Sequence, residues 1–205
     1  MKIVQPSVSI IDAPSREELY RRIELAGRVC YKSEDKITED SSETFIRNII
    51  KRGHEAVIEH GSITAKVVCD RGVSHEIVRH RIASYCQEST RYCNYSKDSF
   101  GNEITVVEPA WLNLDCASRH IWKVACEFAE TAYFDLLHEG RTPQEARAVL
   151  PNSLKTEIMI TMNPREWRHF FKLRCSEDAH PDMRYVANML YEMFVDNRPV
   201  LFENI

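Results

Sequence analysis

Glycine is scarce in this sequence, with six residues in 205. They stand at positions 27, 53, 61, 72, 101 and 140, too far apart to form GxGxxG or GxxxxGK followed by Ser or Thr. No glycine-rich loop cradles a phosphate here, and a bound dinucleotide would not be held in Rossmann fashion. A G-x-S-x-G elbow is missing too, which removes the usual seat of a nucleophilic serine. The seven cysteines (Cys30, Cys69, Cys86, Cys93, Cys116, Cys126, Cys175) contain no CxxC pair that suggests zinc or a redox dithiol. No apolar run approaches the ~18 residues of a membrane span, and Met1-Lys2-Ile3-Val4-Gln5-Pro6 does not read as a signal peptide. We therefore expect a cytoplasmic protein without a membrane partner, its cysteines reduced and serving as small buried apolar residues. Net positive charge is lacking as well: 27 Lys and Arg face 31 Asp and Glu, a balance of −4, which argues against a protein that coats nucleic acid.

What is present is a globular composition, 43% hydrophobic and 28% charged. The length suits one domain, and with no repeat and no Pro/Gly/Ser-rich linker we expect a single domain over 1–205. It is small for an enzyme that houses a large cofactor alone. Strand patterns cover Lys2–Ile11, Ser62–Asp70, Glu103–Glu108 and Leu154–Met162. Helical patterns cover Ser15–Cys30, opened by a capping-box sequence, then Ser42–Arg52, Val73–Ala83 and Asp115–His138. A short helix begins at Thr142-Pro143, and two more run over Asn163–Arg174 and Pro181–Asn197, each of the three with Pro at its start. Strands and helices are mixed without strict βαβ alternation, so the expected class is α+β, a single mixed or antiparallel sheet packed against several helices.

Two zinc-protease temptations fail. His54-Glu55 and His75-Glu76 would each need a histidine four residues after the first, but positions 58 and 79 are Ile and Arg. We expect no metal. Attention falls instead on residues 79–95, where three arginines, one histidine, three tyrosines and several hydroxyls crowd into seventeen positions of an acidic protein. Consecutive Arg79, His80 and Arg81 at a helix end point to different sides, so at least one should face inward. Arginine forks, hydroxyls and backbone N–H groups are the usual cradle for a phosphate. A solvated basic helix end would account for that stretch alone. It does not account for Arg147, flanked by apolar residues, or Arg174 on a helix that also carries Arg165 and Arg168.

Arg79-His80-Arg81, then seven residues, then Ser89 and Arg91-Tyr92, resembles the signature of the flavin-dependent thymidylate synthases. The resemblance extends to Gly53-His54-Glu55 with Glu59-His60 upstream, and to Ala146-Arg147, Leu150-Pro151, Asn163, Arg165 and Leu173-Arg174 downstream. It implies that family's fold and a homotetramer with active sites shared between subunits. It also implies FAD as cofactor, NADPH and 5,10-methylenetetrahydrofolate as co-substrates, and reductive methylation of dUMP to dTMP without a cysteine nucleophile. By the same resemblance Arg79, His80 and Arg81, with Gln87 and His54, would hold the flavin, and Asn163, Arg165 and His169 would add contacts from one helix. Glu76, Arg79, Gln87, Glu88, Ser89, Thr90, Arg91 and Arg147 would bind dUMP. Arg174 would face the N3–C4 edge of the uracil as the catalytic residue, stabilising enolate-like charge. Gln87 and Glu76 exchange the acid and amide often seen at those two slots. Asp178 and His180-Pro181 stand where the family often has a histidine and a Gln-Trp pair. A phosphate-recognising nucleotide- or RNA-binding module and a flavin- and folate-dependent RNA uracil methyltransferase remain the alternatives; the latter would be expected to show a glycine motif and a basic surface, and this chain has neither.

Overall fold

The computed structural model describes residues 1–114 and 116–205, and no side chain within 113–116. Its strands are β1 (Lys2–Val4), β2 (Ser7–Asp12), β3 (Ile63–Asp70), β4 (Ser84–Gln87), β5 (Thr105–Val107) and β6 (Lys155–Met162). Its helices are α1 (Arg16–Tyr31), α2 (Ser41–Lys51), α3 (Arg71–Ile77), α4 (Cys116–His138), α5 (Pro143–Ala146), α6 (Pro164–Arg174), α7 (Pro181–Asn197) and α8 (Pro199–Phe202), with several 3-10 turns between them. The class is α+β. The main sheet has four strands in the order β2-β3-β6-β4, and a separate two-stranded ladder pairs β1 with β5 in parallel.

The sequence pattern is corrected in three places. The strand expected over Lys2–Ile11 is two strands, because Pro6 has no N–H for a ladder. The helix expected over Val73–Ala83 stops at Ile77, and β4 emerges at Ser84 inside the segment read as polar and aromatic. The cysteines are not all buried: Cys69 and Cys126 are, whereas Cys30 and Cys86 are exposed. The helix start at Asp115 and the thiol of Cys116 lie outside the described residues. No helix among the described residues is long and apolar enough to cross a membrane.

The chain divides into two compact units. The first comprises residues 1–7, 67–79 and 86–158. Its core is Tyr95, Ile104, Val106, Cys126, Tyr133, Ala146 and Leu154, with Ile3, Trp122 and Leu137 packed against it. The terminal ammonium of Met1 sits on Glu103 and Glu130 at 3.1 and 3.0 Å, which fixes the start of β1 beside β5.

The second unit comprises residues 8–66, 80–85 and 159–205. Asn163 caps α6 by accepting from the Glu166 N–H at 2.9 Å, and Pro164 takes the first helical position, where no N–H is needed. Trp167, Phe170 and Phe171 form the buried face of α6, joined by Phe194 of α7 and Phe202 of α8 with ring centroids 4.8 to 5.9 Å apart. The Trp167 indole N–H donates to the Ile63 carbonyl at 3.0 Å, so its burial leaves no polar group unpaired. Burial of such a ring is worth about 3–5 kcal/mol against alanine. The opposite face of α6 carries exposed Arg165, His169 and Lys172. Helices α1 and α2 close over Gly27, where a Cβ would meet the Phe45 ring at 2.5 Å.

Candidate active site

In the first unit, the chemistry gathers on residues 87–91. Gln87 Nε2 donates to Ser74 Oγ of α3 at 2.8 Å and to Thr156 Oγ1 of β6 at 3.2 Å. Arg71 NH1 donates to the Glu88 carbonyl at 3.1 Å, so the loop is tied down at both its first residues. The Glu88 carboxylate accepts from Lys155 Nζ at 3.0 Å and from the Tyr95 hydroxyl at 3.4 Å, and its negative charge is thereby balanced. Ser89 Oγ accepts from the Arg91 N–H at 3.2 Å, and the Ser89 carbonyl accepts from Tyr92 and Cys93, curling the loop around the hydroxyl.

Two arginines close on this loop. Arg147, in the 3-10 turn after α5, donates from NH1 to buried Thr90 Oγ1 at 3.3 Å. Arg91 Nε donates to Gln144 Oε1 at 3.1 Å while its guanidinium lies 5.3 Å over the Tyr92 ring. Both are exposed, their hydrogen-bond partners are neutral, and among the described residues neither makes an ion pair. That is the electrostatics of a place where an anion binds. Arg79 stands exposed just after α3, its N–H bonded to the Glu76 carbonyl at 3.2 Å, and Glu76 itself is half-buried on α3.

In the second unit, of the three residues expected to point apart, His80 is the one that faces inward, while Arg81 stays exposed. His80 is 4% exposed. Its ring packs on Phe170 with centroids 5.0 Å apart and on His169 at 5.7 Å. Its Nε2 accepts from Arg174 Nε at 3.1 Å, and its Nδ1 lies 3.4 Å from Glu166 Oε1. Burial, with Arg174 and His169 beside it, lowers the His80 pKa from 6.5 to about 4, so the ring is neutral near pH 7. Burial also raises the Glu166 carboxyl. His80, Glu166 and His169 bring metal-ligand atoms within 4.8 Å of one another. Of the two His80 nitrogens, Nδ1 faces Glu166 and Nε2 accepts from Arg174.

Beside this cluster lies a cavity of about 510 Å³, lined among others by Asn163, Arg165, Arg168, His169, Lys172 and Ile82. Its size falls in the range of small-molecule sites. Arg165, Arg168, Lys172 and His169 line it together with the carboxylates of Glu55, Glu59 and Glu166, so charges of both signs face the cavity. Among the described residues the buried Arg168 Nε has no hydrogen-bond partner, with Glu55 Oε1 3.9 Å away, so a donor is left to be satisfied. Arg165, by contrast, is engaged by Glu59 at 2.6 Å and by Glu55 at 3.7 Å. His54 is exposed, its Nδ1 3.2 Å from the Tyr31 hydroxyl. His180 caps α7 by accepting from the Asp182 N–H at 3.3 Å.

Sequence reasoning missed Glu166, Lys155, Tyr95, Gln144 and Arg168 as partners of these groups. Glu166 carried one legible signal, its place three residues after a helix cap, and that signal speaks for capping alone.

Comparison with known proteins identifies the family. Residues 14–200 match the family described as thymidylate synthase complementing protein. The chain is 35% identical over 189 residues to the flavin-dependent thymidylate synthase of Geobacter sulfurreducens, covering 89% of this chain and 80% of that one. It is 37% identical over 174 residues to that of Pyrococcus furiosus, covering 83% and 70%. A solved structure, a UMP/dUMP methylase from Streptomyces cacaoi bound with 5-Br dUMP, superposes with a TM-score of 0.80 at 25% identity over 99% of this chain and 96% of that one. The chain belongs to the flavin-dependent thymidylate synthase family.

Proposed function

We propose that the chain converts dUMP to dTMP, taking the carbon from 5,10-methylenetetrahydrofolate and the reducing electrons from NADPH. As a member of its family it is a methyltransferase. FAD, when bound, supplies the hydride that turns the transferred methylene into a methyl group. The observation that carries the nucleotide assignment is the pair Arg91 and Arg147, two charges without ion-pair partners among the described residues, set on the Ser89–Arg91 loop. They would take the dUMP phosphate, with Ser89 and Thr90 adding hydroxyls and Arg79, Glu76, Gln87 and Glu88 lining the nucleotide.

Arg174 would face the uracil. It is held by a neutral histidine, and that bond leaves the guanidinium charge in place. A fixed cation at the N3–C4 edge stabilises negative charge as C5 becomes nucleophilic, so no covalent attack at C6 is needed. Arg165, His169, Asn163, His80, Arg81, Arg79, Gln87 and His54 would hold FAD; the Arg168 Nε, without a hydrogen-bond partner among the described residues and beside a cavity of about 510 Å³, supports a polar ligand there. We further propose that the working form is a cytoplasmic homotetramer whose sites are completed by neighbouring copies, in keeping with a short chain of 205 residues.

The test is the flavin content of the purified protein. Non-covalent FAD, bleached by NADPH under anaerobic conditions, is expected. A protein that neither retains nor takes up FAD contradicts the assignment.

A further inference from the structure

We infer that Glu166 and His80 form a positioning relay that sets the plane of the Arg174 guanidinium. The inference rests on Arg174 acting at the uracil ring, as proposed above. A guanidinium has donors and no acceptor. Because Arg174 Nε donates to His80 Nε2 at 3.1 Å, that nitrogen carries no proton. In a neutral imidazole the proton then sits on Nδ1, the atom 3.4 Å from Glu166 Oε1. Glu166 therefore favours the one tautomer in which His80 can accept from Arg174. The opposite tautomer would aim an N–H at an N–H and push the guanidinium away.

The backbone supports this reading. Glu166, Phe170 and Arg174 follow one another at i, i+4 and i+8 along α6, so they form a single ridge. The His80 ring contacts all three: Glu166 through Nδ1, Phe170 in a tilted ring contact with centroids 5.0 Å apart, and Arg174 through Nε2. The far side of His80 is held as well, since the Tyr85 hydroxyl donates to its carbonyl at 2.6 Å. Glu166 is 8% exposed, and its backbone N–H is fixed by the Asn163 cap. A buried carboxylate in this position needs a reason beyond capping, because Asn163 already serves the helix end. The charged and titratable groups facing the pair are Arg165, His169 and Arg174 on α6 and Tyr85 on β4.

The test compares Glu166→Leu, which removes the acceptor, with Glu166→Gln, whose side-chain oxygen restores it. Both are assayed as FAD-loaded enzyme, alone and combined with Arg174→Ala. Glu166→Leu should lower kcat about 10- to 100-fold through misplacement of Arg174, with a smaller change in the KM for dUMP and with FAD retained. Glu166→Gln should recover most of the loss. On the Arg174→Ala background Glu166→Leu should add almost nothing, because the two act as one unit. Unchanged kcat in Glu166→Leu, or a full extra loss on the Arg174→Ala background, overturns the relay. Full activity in Arg174→Ala sinks the role of Arg174 itself, whatever Glu166 does. Nitrogen-15 shifts of His80 in the unmutated, FAD-loaded protein decide the point without any variant: Nδ1 protonated is expected, and Nε2 protonated overturns the relay.

Discussion

Arg174 and His80, separated by 94 positions in the chain, meet through a 3.1 Å hydrogen bond from Nε to Nε2. A hydrogen bond to a neutral ring does not cancel the guanidinium charge, and in this account that charge faces the uracil base.

Arg174→Ala should lower kcat by about 100- to 1000-fold, the usual cost of removing a preorganised group that stabilises developing charge. Bound FAD should change little. Arg174→Lys should fall between, since it keeps the charge and loses the planar fork. Steady-state kinetics with dUMP varied, alongside flavin occupancy, read both effects. An Arg174→Ala enzyme with undiminished kcat would remove Arg174 from the chemistry.

The second prediction concerns acid. His80 has a folded pKa of about 4 against an ordinary 6.5, so between those values the unfolded chain binds a proton that the folded chain refuses. Stability should fall as pH drops from about 6.5 to about 4 and lose this slope below that. Glu166, raised from 4.5 by burial, acts in the opposite sense as pH falls towards 4.5. Melting temperatures of the protein and of His80→Gln across this range give the answer: the variant should show a flatter decline. An identical decline in both would mean that His80 is not the group responsible.

Much of the fold could be read from local pattern. The helix starts at Ser15, Thr142 and Asn163 follow from cap chemistry, and the alternation of β3 and β6 follows from their burial on one face. The short pieces escaped because tertiary pairing defines them: β4 consists of four residues with no strong alternation, and α3 ends at Ile77 although helical periodicity continues beyond it. Among the site residues, three consecutive basic residues at a helix end made it legible that at least one faces inward, but not that it is His80. Glu166 was not legible, because its carboxylate is committed to a residue 86 positions away by a packing that no local spacing encodes. Nor did the sequence disclose that Arg165 is engaged by Glu55 and Glu59, or that Lys155 balances Glu88.

The measurement closest to the central claim is product formation from dUMP by FAD-loaded protein supplied with NADPH and 5,10-methylenetetrahydrofolate whose methylene carbon is labelled. The account predicts labelled dTMP, formed only when all components are present and abolished or nearly so by Arg174→Ala. Absence of dTMP with FAD bound and every substrate supplied, or methylation of UMP in preference to dUMP, would contradict it.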